Sequence, residues 1–421
     1  MAKPSLLRLF VEFFWNLVSI PVHATSLLVP RNPNLWVFGA WFGRRYADNS
    51  RYLFEHVDST LGSIRAVWLT RDKQVLGRLR RQGLEAYSVR SFRGFLVAAR
   101  AGMTIVTSGN FDVNVAAISR STRFLLWHGT PLKRIKRDEL AASKEPESAA
   151  LRMVRIFWRT LFAYTYERWD AIVCANPIAA WHLSSAFGVP ISKLVVTGYP
   201  RCDMILKSPV DPLPIVERIK RSNAQAKVVL YAPTWRKDSR KLDVWLSTLD
   251  YAKLEEILGR YDSYFVIRPH FVDRKANWTR PRPGRDPRIF FLEEAEIPDL
   301  NVLLPQVDVL VTDYSSIYFD FLLLNRPVVF APFDEAEYER EPGLYFSYGE
   351  VTPGPSCQTW DEVIGKLDEI LSGTDSYESQ RIALSKIFNT FSDTENSRRV
   401  AEVAGQLALQ RFGPWLGGKG D

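Results

Sequence analysis

From residue 35 onward the chain repeats one pattern: a short unbroken apolar run, then a longer stretch with apolar residues three and four apart. Buried strands are predicted at 35–39, 65–70, 104–107, 123–127, 171–174 and 194–197, with helical spacing between them, as at 48–61 and 92–101. Three prolines in 208–214 interrupt the series. It then restarts with strands predicted at 227–231, 264–268, 289–292, 307–311 and 327–330. Alternation of this kind implies parallel sheets covered on both faces. The fold class is therefore α/β, with two doubly wound Rossmann-like domains facing a central cleft. The predicted boundaries are a first domain at 31–207, a second at 208–400, and a helix end with a loose tail at 401–421.

The segment before the first strand has a different pattern. Residues 6–20 are mostly apolar, but Arg8, Glu12, Asn16 and Ser19 fall on one helical stripe. The run is shorter than a bilayer span and lacks a cleavage site. Residues 1–30 are accordingly expected to form an amphipathic membrane-surface segment, with Phe10, Phe13, Phe14 and Trp15 in the acyl boundary. The competing reading is a helix packed on the protein's own core. Leu151 to Trp169 carries four arginines among large apolar side chains and reads equally well as a second membrane-surface helix or a solvated basic face.

A chain of 421 residues with 46% hydrophobic and 24% charged residues can fill two cores without disulfides. Three widely spaced cysteines form no CxxC pair, which argues against a zinc knuckle or redox motif and for reduced thiols in the cytoplasm. A net charge of +8 favours anionic partners. Nucleic acid is the least favoured of these, because the aromatics lie in the strands and do not interleave a basic patch.

Ligands of doubly wound sheets sit beyond the carboxyl ends of the strands, and chemistry-bearing residues cluster there. His128, with Gly129, Thr130 and Lys133, follows one strand; an imidazole at a cleft suits a general base, and the ammonium suits a phosphate. Arg201 follows another strand in Thr197-Gly-Tyr-Pro-Arg201. In the second half Thr234 and Arg236 close the first strand, and a guanidinium can clamp phosphate bidentately. Arg268 and His270 follow the next strand, with His270 expected nearer a diphosphate. Thr312, Asp313, Ser315 and Ser316 lie where a strand gives way to a helix, and a serine cap with free N–H groups makes an anion site. No HExxH, Walker A or DxD pattern occurs, and Asp313 alone is weak evidence for a metal.

In combination and order, HGTPLK at 128–133, TGYPRCD at 197–203, YAPTWR at 231–236, RPH at 268–270 and TDYSSIYFDFLLLNRPVVF at 312–330 resemble the CDP-glycerol glycerophosphotransferase family. Those enzymes build teichoic-acid-type polymers and some capsules. Tyr46-Ala-Asp48-Asn49-Ser50 is similar to the family's early motif. The resemblance implies a GT-B architecture, a CDP-glycerol or CDP-ribitol donor, and a lipid-linked or polymeric acceptor at the inner face of the cell membrane. An acceptor hydroxyl would attack the β-phosphorus and release CMP. His128 would be the base, and His270 would lie against the diphosphate held by Thr234, Arg236, Ser315 and Ser316. No cofactor and no divalent metal are implied. One departure is Arg134-Ile-Lys-Arg137, where members often carry glycine after the lysine. Two other readings stand beside this one: a GT-B glycosyltransferase using a nucleotide sugar, and a non-catalytic protein that binds polyanions or membranes.

Overall fold

A computed structural model describes residues 6–142, 153, 156–158, 162–207, 212–221, 223–234, 236, 240–269, 288–294, 296–338 and 343–413; at 6–16, 240 and 336 it describes the backbone alone. Among these residues lie two wholly parallel sheets. The first contains β1 (Asn32–Gly39), β2 (Arg65–Thr70), β3 (Ala86–Ser88), β4 (Ala101–Val106), β5 (Thr122–Leu125), β6 (Ala171–Cys174) and β7 (Leu194–Val196), in the order β3-β2-β1-β4-β5-β6-β7. The second contains β8 (Lys227–Ala232), β9 (Ser263–Ile267), β10 (Ile289–Phe291), β11 (Val309–Thr312) and β12 (Val328–Phe330), in the order β10-β9-β8-β11-β12. Every strand predicted from the apolar runs is present. The three-residue β3 escaped notice because Ala86-Tyr-Ser88 offers no apolar run.

Each sheet is buried on both faces, which is why its strands read as continuous apolar segments. One face of the first sheet packs Phe38, Trp68 and Phe124 together; the other packs Val37, Leu69 and Leu125. The second sheet does the same with Val228 and Leu230 on one side and Val229 and Tyr231 on the other. Strand order reverses between β1 and β4 in one sheet and between β8 and β11 in the other, and a crevice opens beside each reversal.

The predicted boundary at 400 is corrected. Asn396–Phe412 is one helix, and it returns to the first sheet. Val400, Ala401, Ala404 and Ala408 join the cluster containing Phe38, Leu53 and Trp68; their small side chains allow close approach. The Asp203 carboxylate caps the helix by accepting the N–H groups of Asn396 at 2.8 Å and Ser397 at 2.7 Å. So 396–412 packs with the first domain, whose expected bounds stopped at 207.

The N-terminal segment is a helix over Leu6–Leu28, longer than the apolar run and containing Pro21. Its second half rests on the protein. Ser19 shares a hydrogen bond with the Tyr164 hydroxyl, His23 stacks on that ring at 4.2 Å, and Ser26 donates to the Ala116 carbonyl. The side chains of Phe10, Phe13, Phe14 and Trp15 lie outside the described residues, as do most of 151–161 and the end of the tail. The three cysteines are buried and unpaired.

Candidate active site

Between the carboxyl ends of the two sheets lies a cavity of about 430 Å³. Its lining brings together His128, Gly129, Thr130, Lys133 and Arg201 from the first domain with Thr234, Arg268, Ser315 and Ser316 from the second. His270 lies outside the described residues. Arg236, Thr312 and Asp313 do not line the cavity.

His128 does not sit at the end of its strand, as the apolar run suggests. β5 stops at Leu125, and Trp127 turns into the left-handed region at φ 56°. Asn49, fully buried, holds that turn: its amide donates to the Trp127 carbonyl at 2.9 Å, and its carbonyl accepts the Arg201 N–H at 3.1 Å. Gly129 follows at φ 129°, and a Cβ there would lie 2.7 Å from Arg201 Nη2 and 3.1 Å from Ser316 Oγ. The two domains therefore meet at this glycine. Beyond it the loop crosses to the second domain. Leu132 enters that domain's core, Lys133 bridges to Leu344, and the Leu132 carbonyl accepts the Tyr345 N–H at 2.9 Å.

Burial first, and the Arg201 charge second, pull the His128 pKa from 6.5 down to about 3. The ring is thus neutral at neutral pH and able to accept a proton. An anionic diphosphate acts in the opposite sense, favouring the imidazolium and raising basicity as it enters. Lys133, lying 5.0 Å from the Tyr338 ring centre, is lowered by burial to about 8, with Asp313 opposing that shift.

The structure revises three expected roles. Arg236 commits four of its five N–H donors to the protein itself. Nε and Nη2 form a fork with Asp334 at 2.9 Å each, Nη2 also meets Asp313 at 2.8 Å, and Nη1 donates to the Thr234 carbonyl. Asp313 faces the same way, accepting the Thr234 N–H at 2.8 Å and its hydroxyl. Thr312 is buried and donates to the Ala232 carbonyl at 2.7 Å. These three side chains build the wall behind the cavity. Arg201 lines it but is clamped between Asp48 at 3.0 Å and Asp320 at 2.6 Å. Burial works against its charge, and the two carboxylates hold it protonated. The serines are half-buried at the start of a short helix, Ile317–Phe321. Ser316 makes no side-chain cap, and Ser315 accepts the Ile317 N–H at 3.4 Å. Arg268 spends Nη2 on the Ile297 carbonyl at 2.9 Å.

Several lining residues went unassigned: Trp41, Arg45, Asp48, Asp299 and Asn301. Asp48 sits in the stretch matched to the early motif, so a signal existed. Asp299 has none. It reaches across to accept the Asp48 N–H at 3.1 Å and the Tyr52 hydroxyl at 2.8 Å.

The family model described as CDP-Glycerol:Poly(glycerophosphate) glycerophosphotransferase matches residues 22–404. The chain belongs to that family. A teichoic acid glycerol-phosphate transferase of Staphylococcus aureus (strain NCTC 8325 / PS 47) is 29% identical over 405 residues, covering 92% of this chain and 97% of the relative. A teichoic acid poly(glycerol phosphate) polymerase of Bacillus subtilis (strain 168) is 27% identical over 80% of this chain, which spans only 44% of that longer protein. The solved wall teichoic acid polymerase TagF superposes with a TM-score of 0.73 at 22% identity, covering 98% of this chain and 100% of that one, and shares the fold. The protein is thus a phosphodiester-forming polyol-phosphate transferase of the teichoic-acid type, with the two-domain GT-B fold that its motifs imply.

Two outcomes follow from the site's electrostatics. Arg236→Ala strands two buried carboxylates, so it should cost about 3–5 kcal/mol in denaturant unfolding; a loss confined to donor affinity, with stability intact, would contradict the wall assignment. Between pH 6.5 and about 3 the unfolded chain binds a proton at His128 that the folded chain refuses. This histidine therefore lowers stability as pH falls through that window, and His128→Asn should show a shallower decline of the urea midpoint than wild type.

Proposed function

We propose that the cleft transfers glycerol phosphate, or another polyol phosphate, from a CDP-polyol to a hydroxyl of a lipid-linked or polymeric acceptor, releasing CMP. The observation that carries this reading is the meeting of His128 with Lys133, Arg268 and both serines in one cavity between the sheets. His128 takes the proton of the acceptor hydroxyl. The oxygen bonds to the β-phosphorus as that phosphorus separates from the oxygen bridging it to CMP. The phosphodiester so formed keeps the polyol, and CMP leaves with the electron pair. Lys133 and Arg268 counter the charge of the diphosphate, so fixed protein cations do the work that a divalent metal performs elsewhere.

The same reading puts the protein on an anionic membrane surface at the cytoplasmic face. Leu17 and Val18 of the N-terminal helix are exposed, as are Ile156 and Phe157. Among the described residues no helix is long and apolar enough to cross a bilayer. Exposed apolar side chains on a chain of net charge +8 suit an interfacial position.

Purified protein incubated in EDTA with CDP-glycerol, CDP-ribitol or UDP-sugars should release CMP from a CDP-polyol and no UDP. Release of UDP alone would replace this reading with sugar transfer. Deleting residues 1–16, which spares the Ser19 and His23 contacts, should weaken sedimentation with anionic liposomes; unaltered sedimentation would remove the interfacial role of that segment.

A further inference from the structure

Strand order in the first sheet reverses between β1 and β4, and the loops leaving these two strands meet where the Phe42 N–H reaches Asp112. After β1, Trp41, Phe42 and Gly43 all occupy the left-handed region, at φ 49°, 59° and 70°. Two consecutive bulky residues in that region are strained, and such strain persists only where the surroundings over-determine it. Here the second loop does so. Asp112, fully buried, accepts the N–H groups of Phe42 at 2.6 Å, Ser108 at 2.7 Å and Thr107 at 3.1 Å. The loops pack so closely that a Cβ on Gly43 would lie 2.9 Å from the Asp112 carbonyl oxygen.

What the strained turn delivers is an indole on the cavity wall. The Trp41 ring centre lies 5.4 Å from that of His128, and the Arg45 guanidinium stands 5.4 Å over the indole. Arg45 in turn pairs with Glu294 of the second domain, so the indole is set from both sides of the cleft. Phosphate recognition gives no reason for it, since an indole face repels anions. The hydroxyls suited to the donor, on Ser315 and Ser316, belong to the opposite domain. The negative face of an indole instead accepts polarised C–H bonds.

We propose that Trp41 positions the acceptor. A polyhydroxylated carbon skeleton, a sugar ring or a glycerol unit, lays its C–H face on the indole and so turns its free hydroxyl toward the imidazole of His128. This rests on the transferase reading above.

The test uses the full chain with CDP-glycerol as donor and two acceptor probes, an alkyl glucoside and an alkyl glycerol 3-phosphate. Trp41→Ala should raise the KM for the acceptor about tenfold, the size of one ring contact. Trp41→Phe, which keeps an aromatic face, should recover most of it, and CDP affinity measured by calorimetry should stay within about twofold for both variants. A larger effect on the glucoside identifies a sugar-bearing acceptor; a larger effect on the glycerol phosphate identifies a polymer terminus. An unchanged acceptor KM overturns the inference. So does a parallel fall in CDP affinity, which would make the turn a scaffold for the whole cleft. A wild-type enzyme that releases CMP from CDP-glycerol yet is saturated by neither probe also overturns it. Absence of any CMP release would instead count against the transferase reading.

Discussion

The buried guanidinium of Arg201 is the contact on which the cleft depends. It takes one carboxylate from each domain, Asp48 at 3.0 Å and Asp320 at 2.6 Å, and it lies against Gly129. Burying an ion pair is seldom worth much to stability, because desolvation offsets the attraction. Its value lies in geometry. A fixed cation between two fixed anions sets the distance between the sheets, keeps the loop of His128 tight against Ser316, and helps hold the imidazole neutral. Removing either carboxylate would leave the remaining charges poorly matched in a medium that cannot screen them.

Strained backbone gathers around the same place. Trp41, Phe42, Asp48 and Trp127 are all left-handed without being glycine. Each is held by a buried polar neighbour: Asp112 for the first turn, Asp299 at the Asp48 N–H, and Asn49 at the Trp127 carbonyl. A network this closely satisfied is costly to rearrange, so the cavity walls are set before a substrate arrives.

Much of this was legible in the chain. Continuous apolar runs locate the strands because a doubly covered parallel sheet requires them, and the positions after those strands locate His128, Lys133, Arg268 and the paired serines. What could not be read was where each donor's partners lie. Arg236 looks like a phosphate clamp in sequence, but Asp334, 98 residues away, takes two of its hydrogen bonds. Left-handed turns at Trp41 and Trp127 leave no compositional mark, since neither residue type prefers them. The helix at 396–412 has ordinary amphipathic spacing, and nothing in its sequence says which of two cores it joins.

That returning helix governs how the molecule can move. The chain passes from the first domain to the second between Leu206 and Pro214, and passes back between Phe388 and Asn396. Asp203, just before the outward passage, is hydrogen-bonded to Asn396 and Ser397, just after the return. Two covalent threads tied together at one point act as a single pivot. Any parting of the domains that keeps this tie must turn about that edge, and must also withdraw Leu132 from the second core.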